Sequence, residues 1–315
     1  MLKELFSKNK NIVINTDIDG ILSGILLNKY YGCKIVGFSN SKEAVWLSDD
    51  VNSVYDPVYI DLYVVNPNVV CIEQHIIATD ASHLQSIKSF NTKINPNLER
   101  GKVFTDDYYH KYPFGTVHYL IALMEAEGIS VELPNLNKRI TAPEGTSITL
   151  GQLILRADDA LYSSLGPYAD NASDWWRWLL RKSNNAQSIK DLVSYVTNSN
   201  PSLSKAIKEK TGAFFIYGFG CSGKDGAFDK ICDYDDEISV DFIDFVSFVN
   251  DCMQGNIEIP SKCYAHIGEF KKRFVKGYQK EELKRLMQDP ELFSYAFIYG
   301  PNSKYPNYSY TTNMD

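Results

Sequence analysis

Residues 11–24, NIVINTDIDGILSG, decide the fold of this chain. The apolar run at 12–14 predicts a short, buried parallel strand that Gly20 brings to an end. Residues 21–31 carry enough apolar side chains to predict a packed helix directly afterwards. A strand that leads into a helix is the repeating unit of an α/β fold, so the stretch predicts that class.

Three polar side chains follow this strand at intervals of two residues, namely Asn15, Asp17 and Asp19. Side chains two apart leave an extended chain on the same side. Open α/β sheets bind ligands at the carboxyl ends of their strands, and close carboxylates repel each other unless a cation lies between them. Hard oxygen ligands favour magnesium or manganese over zinc. The alternative interpretation is a helix-capping turn, although capping needs only one Asp.

Length and composition limit the class of protein. A chain of 315 residues that is 44% hydrophobic can bury a full core, and we expect two domains. The net charge of −7 argues against coating of nucleic acid by bulk electrostatics, which leaves a local basic groove open. The six cysteines show no CxxC pairing, and neither a membrane span nor a signal-peptide pattern is evident. We therefore expect a cytoplasmic protein without a membrane partner.

Further strands are predicted at 34–38, 57–65 and 69–72, with a helix around 44–47. Asp61 lies in the middle of the third strand, where a carboxylate is costly unless it is paired or binds a metal. The fourth strand ends at Glu73-Gln74-His75. Repeats of this length predict a parallel sheet with right-handed crossovers and helices on its faces. The acidic and His positions of three strands could then converge on one edge of the sheet.

Three later segments are predicted as helices, at 82–90, 113–128 and 147–164. Ser82 would cap the first, and residues 91–101 are predicted to form a loop. His118 lies among apolar residues in the second helix and is interpreted as a core histidine. The third contains Asp158 and Asp159. A tryptophan-rich segment at 170–183 is interpreted as a hinge or a packing face against the second half of the chain.

The second half is predicted to form a smaller α/β domain. Its boundary is placed in the Asn- and Ser-rich segment 184–204, which gives domains 1–190 and 205–315. Strands are predicted at 212–219 and 292–300, and the Gly-rich loop 220–226 lacks the order of a P-loop. A basic stretch is interpreted either as a solvated helix face or as the wall of a cleft that binds a phosphate-bearing substrate. It contains Lys271, Lys272, Arg273, Lys276, Lys280, Lys284 and Arg285.

Four short motifs within residues 15–162 resemble those of the DHH phosphoesterases, above all the single-strand exonuclease and oligoribonuclease-like branch. Residues 17–23, DIDGILS, resemble the first motif, DxDGxxS, and Asp61 resembles the second. Residues 73–75, EQH, stand where the family has DHH. Residues 158–162, DDALY, are similar to the fourth motif, DTGxF.

The resemblance implies a site for one or two manganese or magnesium ions, with a metal-activated water that attacks phosphorus. Asp61 would bridge the ions, and His75 would contact the phosphate, so these two residues are the catalytic candidates. The implied metal ligands are Asp17, Asp19, Asp61 and Asp158. Further candidates for the site are Asn15, Glu73, Gln74 and Asp159. The candidates for substrate binding are Ser23, Lys271, Lys272 and Arg273.

Several positions depart from the family pattern. Asn15 replaces a carboxylate, Gln74 replaces a histidine ligand, and Glu73 lengthens an aspartate arm. The glycine-rich GGGH stretch of the family's second domain is missing. The chain could accordingly hold one metal, use another coordination geometry, or hold none.

The predicted function is hydrolysis of a phosphodiester or phosphomonoester of a nucleotide or short oligonucleotide. Its partner would be a phosphate-bearing small molecule or a short oligonucleotide, and the oligomeric state stays open. One alternative is a catalytically degenerate DHH-fold protein that binds a nucleotide or partner. The other alternative is a haloacid-dehalogenase-type phosphatase with Asp17 as nucleophile, although that family has Thr where this chain has Ile21.

Overall fold

A computed structural model describes residues 1–143, 145, 147–199, 227–275 and 280–314. The strands in this part of the chain are β1 Asn11–Asn15, β2 Lys34–Ser39, β3 Ala44–Leu47, β4 Val58–Ile60, β5 Cys71–Ile72, β6 Lys93–Ile94, β7 Arg139–Thr141, β8 Ser147–Thr149, β9 Tyr264–Ile267, β10 Glu269–Arg273, β11 Leu292–Phe297 and β12 Tyr308–Thr312. The α-helices are α1 Leu2–Lys8, α2 Ile18–Tyr31, α3 Ala81–Ser89, α4 Pro96–Glu99, α5 Phe104–Asp107, α6 Thr116–Ala126, α7 Leu150–Ile154, α8 Ala160–Leu165, α9 Ala169–Lys182, α10 Gln187–Asn198, α11 Val240–Cys252 and α12 Lys280–Met287. Short 3-10 turns lie at Tyr108–His110 and Ala157–Asp159.

The central sheet has seven strands in the order β6-β5-β4-β1-β2-β3-β9. Strands β6, β5, β4, β1 and β2 are mutually parallel, whereas β3 runs antiparallel to both β2 and β9. The fold is therefore mixed α/β with a mostly parallel sheet flanked by helices, as the sequence predicts at this level.

The sheet separates two packed layers. Ile12, Ile14 and Ile60 point towards the large core that also contains residues of α2, α6, α9 and α11. Val13 and Tyr59 point to the opposite side and belong to another buried cluster, in which Phe293 of β11 packs on Tyr59. Both faces of the strands are thus buried, which explains why their sequences are continuous apolar runs without alternation.

The helix predicted around 44–47 is wrong, because these residues form β3. All four side chains are buried, and Trp46 pairs with Phe38 on one side and with Ala265 on the other. A short apolar run that is buried on both faces has no period that distinguishes strand from helix.

The single helix predicted at 147–164 is also wrong. The segment forms β8, α7, a 3-10 turn and α8, because Asp158 and Asp159 have φ of 47° and 52°. Two consecutive residues in the left-handed region cannot continue a right-handed helix.

Two smaller predictions about local structure need correction. Helix α3 is capped by Asp80 instead of Ser82, and the loop predicted at 91–101 contains β6 and α4. In the part of the chain that the structure describes, Trp175 packs on Tyr112, and Trp176 stacks on Phe114 at 4.1 Å between ring centroids, so both contact aromatic residues of the first half.

Part of the second half packs directly on the first. Strand β9 extends the central sheet by pairing with β3, and Phe242 of α11 lies 4.9 Å from Phe38 between ring centroids. A separate antiparallel sheet has the order β10-β12-β11, and β7 and β8 form a hairpin. The strand predicted at 212–219, the loop 220–226 and Lys276 lie outside the described residues, and the domain boundary stays a prediction.

Strand β1 lies at the point where the strand order reverses. The chain leaves β1 for β2 on one side and later returns to β4 on the other. At such a switch point the connections after neighbouring strands diverge and leave a crevice at their carboxyl ends. The residues that follow β1 and β4 include Asp17, Asp19 and Asp61, of which Asp17 and Asp61 line a cavity and Asp19 is buried behind them.

Candidate metal centre

Three carboxylates converge at the switch point of the sheet. One oxygen of each of Asp19, Asp61 and Asp158 lies within 4.8 Å of the other two. Asp19 is in the first turn of α2, Asp61 follows β4, and Asp158 belongs to the turn between α7 and α8. Carboxylate oxygens are the ligands that Mg²⁺ and Mn²⁺ prefer, so this donor set fits a hard divalent cation.

Asp19 is held by the N-terminus of another helix. Its two carboxylate oxygens accept hydrogen bonds from the backbone N–H groups of Thr116, at 2.6 Å, and Val117, at 2.8 Å. These groups begin α6 and lack partners within it, and the helix dipole also favours a negative charge there. Burial, together with the charges of Asp158 and Asp17, nevertheless raises the pKa of Asp19 well above its usual value.

Gly115 permits this approach. A Cβ at this position would lie 2.8 Å from Asp19 Cγ and 2.7 Å from Ala157 Cβ, closer than side-chain carbons pack. The absence of a side chain therefore lets α6 reach the carboxylate.

Asp61 is presented by a strained backbone. Strand β4 ends at Ile60, so the strand predicted across 57–65 is too long, and Asp61 adopts φ of 63° in the left-handed region. Its Oδ1 accepts a hydrogen bond from Thr116 Oγ1 at 2.8 Å. Burial, reinforced by the neighbouring charges of Asp19 and Asp17, raises the pKa of Asp61 well above its usual value. Left-handed residues of this kind cost energy and cluster at functional sites.

Asn15 connects two of the acidic side chains. Its Nδ2 donates to Asp17 Oδ2 at 3.0 Å and to Asp61 Oδ2 at 3.2 Å. Asp17 Oδ1 accepts from the backbone N–H of Gly20 and thereby caps α2. Burial is the main cause that raises the pKa of Asp17 to about 6. The residue interpreted as a lost carboxylate is thus a neutral donor to its acidic neighbours.

Glu73 points away from the cluster and fixes the chain after β5. Its carboxylate accepts hydrogen bonds from the backbone N–H of His75, at 2.6 Å, and from Asn95 Nδ2. These contacts make Glu73 an anchor for the loop that carries Gln74 and His75. Gln74 Nε2 in turn donates to Asp158 Oδ2.

His75 lies at the edge of the cluster with its Nδ1 3.6 Å from Glu73 Oε2. Burial alone would lower the pKa of His75, but the interaction with Glu73 and the charges of Asp158 and Asp61 outweigh it and raise the pKa to about 9. The imidazole is therefore a cationic donor at neutral pH.

The two aspartates of the 157–159 turn face different neighbours. Asp159 forms an ion pair with Arg156 at 2.6 Å. Asp158 is exposed to solvent and lines two cavities that meet at its side chain. Of the pair, only Asp158 belongs to the carboxylate cluster.

The first cavity separates the cluster from the three-stranded sheet. It has a volume of about 290 Å³, and it is lined by Asp17, Asp61, His75 and Asp158 on one side and by Phe270, Ser309 and Thr311 on the other. A cavity of this size accommodates a small phosphate ester.

The four candidate substrate-binding residues differ in their burial and in the direction of their side chains. Ser23 is completely buried inside α2, which excludes direct contact with a substrate in this conformation. The basic residues Lys271, Lys272 and Arg273 belong to strand β10, not to a helix. Lys272 shares a face of β10 with Phe270, which lines the first cavity, whereas Lys271 is on the opposite face and pairs with Glu269.

Two residues of the site are not predicted from the sequence. Thr116 donates to both Asp19 and Asp61, and Lys111 lines the other of the two cavities that meet at Asp158. Helix α6 begins at Thr116, three residues later than predicted, and this later start turns its first N–H groups towards Asp19. The Gly115-Thr116 pair is the available signal, since Gly is accepted at the N-cap.

No protein-family model, curated protein or solved structure matches this chain. The resemblance to the DHH phosphoesterases therefore stays a prediction from the motifs. Among the described residues, no helix is both long and apolar enough to cross a membrane.

Proposed function

We propose that the chain is a metal-dependent phosphoesterase, related to the DHH family, that hydrolyses a phosphodiester or phosphomonoester of a nucleotide or short oligonucleotide. The observation that carries the proposal is the convergence of Asp19, Asp61 and Asp158 within 4.8 Å at the switch point of the sheet. Burial and mutual repulsion raise the pKa of Asp19 and Asp61, and a bound cation would relieve that repulsion.

Asp19, Asp61 and Asp158, with Asp17 beside them, would hold one or two Mn²⁺ or Mg²⁺ ions. Such an ion lowers the pKa of a bound water and screens the charge of the phosphate. The smaller C-terminal part, with its three-stranded sheet, would close the substrate cavity from the other side.

The chain's own residues have separable tasks in this proposal. Asn15 orients Asp17 and Asp61 through its two donated hydrogen bonds. His75, cationic at neutral pH, faces the cavity and donates to a phosphate oxygen. Thr116 fixes Asp19 and Asp61 relative to each other, so that two strands and one helix define the positions of the ligands.

The test is hydrolysis of bis-p-nitrophenyl phosphate with MnCl2, compared between the native chain and Asp61→Asn. We expect a loss of at least about 100-fold, since a ligand oxygen is replaced by an amide. Asp49→Asn, which removes one exposed carboxylate outside the cluster, serves as the control and should retain full activity. Equal rates for the native chain and Asp61→Asn would refute the proposal.

A second function is favoured by one specific observation. The amides of Asn15 and Gln74 donate to Asp17, Asp61 and Asp158, and these hydrogen bonds stabilise the carboxylates without any ion. A catalytically degenerate protein that binds a nucleotide would have such contacts. Titration of the native chain with Mn²⁺ in a calorimeter separates the two, because the degenerate binder gives no heat of metal binding.

The haloacid-dehalogenase-type alternative is not favoured. Asp17 would be its nucleophile, but one carboxylate oxygen caps α2 and the other accepts from Asn15. A nucleophilic carboxylate needs an oxygen directed at the substrate.

A further inference from the structure

A second cavity adjoins the acidic cluster, and part of its wall is formed by Tyr299, Gly300 and Ser303 from the connection between β11 and β12. Its volume is about 410 Å³, and it meets the cluster at Asp158 and Gln74. Four tyrosines contribute most of its aromatic wall, namely Tyr108, Tyr109, Tyr168 and Tyr299. They come from three separate segments of the chain, so the fold, and not a local sequence pattern, brings them together.

Three of these rings remain open to solvent instead of packing into the core. Tyr109, Tyr168 and Tyr299 are 52%, 54% and 48% exposed. Large half-exposed aromatic side chains that line one cavity offer ring faces to a flat ligand, and base–aromatic stacking accepts any nucleobase because every base has a π-face.

The cavity also contains a cationic group next to the cluster. Lys111 lines it together with Asp158, and the Lys111 Nζ lies 5.4 Å from the centroid of the Tyr108 ring. Asn171 Nδ2 donates to the backbone carbonyl of Lys111 at 2.9 Å, which fixes the start of the lysine side chain. An ammonium between an aromatic wall and a carboxylate cluster is suited to a phosphate group attached to the ligand.

Gly300 lies where the chain after β11 approaches two of the tyrosines in the cavity wall. A Cβ on Gly300 would lie 2.6 Å from Tyr109 Oη and 3.1 Å from Tyr108 Cδ1. The chain after β11 therefore passes close to both tyrosines, and a side chain at residue 300 would displace the Tyr109 ring. This close contact holds Tyr299 against the rest of the cavity wall.

We propose that this tyrosine-lined cavity binds the nucleobase of a nucleotide whose phosphate pairs with Lys111, on the side of the cavity that adjoins the acidic cluster. The inference rests on the proposed function and names both the substrate class and the position of its base. A nucleobase is carried equally by a free mononucleotide and by the end of a short oligonucleotide. A third cavity, of about 470 Å³, continues past Tyr109 and Tyr168 towards Lys102 and would take the next nucleotide of an oligonucleotide.

The test measures binding without any divalent cation, by isothermal titration calorimetry and ligand-observed NMR. The probes are adenosine 5′-monophosphate, ribose 5-phosphate, adenosine and the dinucleotide pApA. We expect the native chain to bind the mononucleotide at least about tenfold more tightly than ribose 5-phosphate, since only the former stacks. Stronger binding of pApA identifies the end of an oligonucleotide as the source of the base, and equal binding identifies a mononucleotide.

Variants separate stacking from charge. The double variant Tyr109→Leu/Tyr168→Leu should lose the preference for the mononucleotide and retain the affinity for ribose 5-phosphate. Tyr109→Phe/Tyr168→Phe should restore the preference, and Tyr234→Leu, at a 98% exposed tyrosine elsewhere, should behave like the native chain. Lys111→Met should weaken binding of the mononucleotide and leave adenosine binding unchanged.

Two results would overturn the inference: no measurable binding of the mononucleotide at millimolar concentration, or unchanged affinity in the double leucine variant. Because no metal and no turnover enter the measurement, its outcome is independent of hydrolysis. A chain that binds the base through these tyrosines but hydrolyses nothing retains this inference and loses the proposed function.

Discussion

Asn15 and Asp61 join the carboxyl ends of the neighbouring strands β1 and β4 through a hydrogen bond of 3.2 Å from Nδ2 to Oδ2. A neutral amide thus lies between two buried acids, since the same Nδ2 also donates to Asp17. Among the described contacts, Asn15 is the one hydrogen-bond donor that Asp17 and Asp61 share.

Asn15→Asp should make the metal-free protein less stable and its metal binding stronger. The substitution removes the donor and adds a charge to a buried acidic cluster, at a cost of about 3 kcal/mol in the free energy of unfolding. Urea unfolding without metal measures the loss, and calorimetric titration with Mn²⁺ measures the gain in affinity. Asn15→Ala, which removes the donor without adding charge, is the matched control and should not bind Mn²⁺ more tightly. Unaltered Mn²⁺ affinity in Asn15→Asp would contradict the metal assignment.

Asp61→Asn should stabilise the metal-free protein while it abolishes hydrolysis. The change relieves repulsion at a carboxyl whose pKa burial and its acidic neighbours raise, and Asn tolerates the left-handed φ of residue 61 well. We expect a gain of about 1 kcal/mol in the free energy of unfolding. Urea titration at neutral pH without metal tests this, with Asp49→Asn as the control. A destabilised variant would mean that the charge of Asp61 is already compensated in the native chain.

Gly115→Ala should disturb the cluster through helix α6. The new Cβ would collide with Asp19 and Ala157, and the required shift costs about 2 kcal/mol and separates Asp19 from the helix terminus. Gly128→Ala is the comparison, because Gly128 has φ of 78° and a Cβ added there would meet no atom within 4 Å. Both variants should unfold more easily, but only Gly115→Ala should also lose Mn²⁺ affinity. Equal Mn²⁺ affinity in the two would show that α6 does not position Asp19.

The two lysines of β10 should differ in their effect on nucleic-acid binding. Neutralising Lys271, Lys272 and Arg273 together should weaken binding of an oligonucleotide more than that of a mononucleotide. Within this set, Lys272→Ala should account for most of the loss, because Lys272 shares the face of Phe270, whereas Lys271 pairs with Glu269. Fluorescence anisotropy at several salt concentrations measures the effect. Equal losses for mononucleotide and oligonucleotide would assign the three residues to the solvated surface.

His118 should make the fold sensitive to acid. Burial lowers the pKa of His118 to about 4, so the folded state keeps the ring neutral while the unfolded chain takes up a proton below pH 6.5. The contribution of the neutral His118 ring to the free energy of unfolding is therefore fully present above pH 6.5. It is lost as the pH falls towards 4, by about 3 kcal/mol. His118→Asn retains an acceptor for the N–H of Gly115 and should flatten this part of the pH profile of urea unfolding. An unchanged pH profile of urea unfolding in His118→Asn would contradict this role of the buried ring.

The sequence predicts the elements whose patterns are local. An apolar run predicts strand β1 and the apolar residues after it predict helix α2, and the structure has both elements. The prediction of an extended, same-side row that Gly20 ends is wrong, because β1 ends at Asn15 and α2 begins at Ile18. Asp17 is the N-cap of this helix, and Asp19 and Gly20 lie in its first turn. Strand β3 cannot be told from a helix in the sequence, because four buried residues carry no period.

The rest of the site depends on contacts between distant segments. Only the motif identifies Asp158, in a segment whose predicted helix is broken by left-handed residues. Thr116 and Lys111 contribute only because α6 and the turn before it approach α2, and no pattern within either segment encodes that approach. From the sequence alone, Asn15 is interpreted as the loss of a metal ligand, because the sequence does not show that its side chain donates a hydrogen bond to Asp61 at the end of a neighbouring strand.

Residues 264–273 form two strands with one glycine between them, so the same stretch of backbone is the edge of the central sheet and the edge of the smaller one. Gly268 makes the crossing possible, because a Cβ there would lie 2.6 Å from Thr311 Cγ2. The two sheets consequently share a mechanical link: a rotation of the smaller sheet pulls on β9 and, through it, on β3. Widening of the first cavity by such a rotation must bend the chain at Gly268 or break the pairing of β9, and it would also move Tyr299 and Gly300, which follow β11 and line the tyrosine-lined cavity.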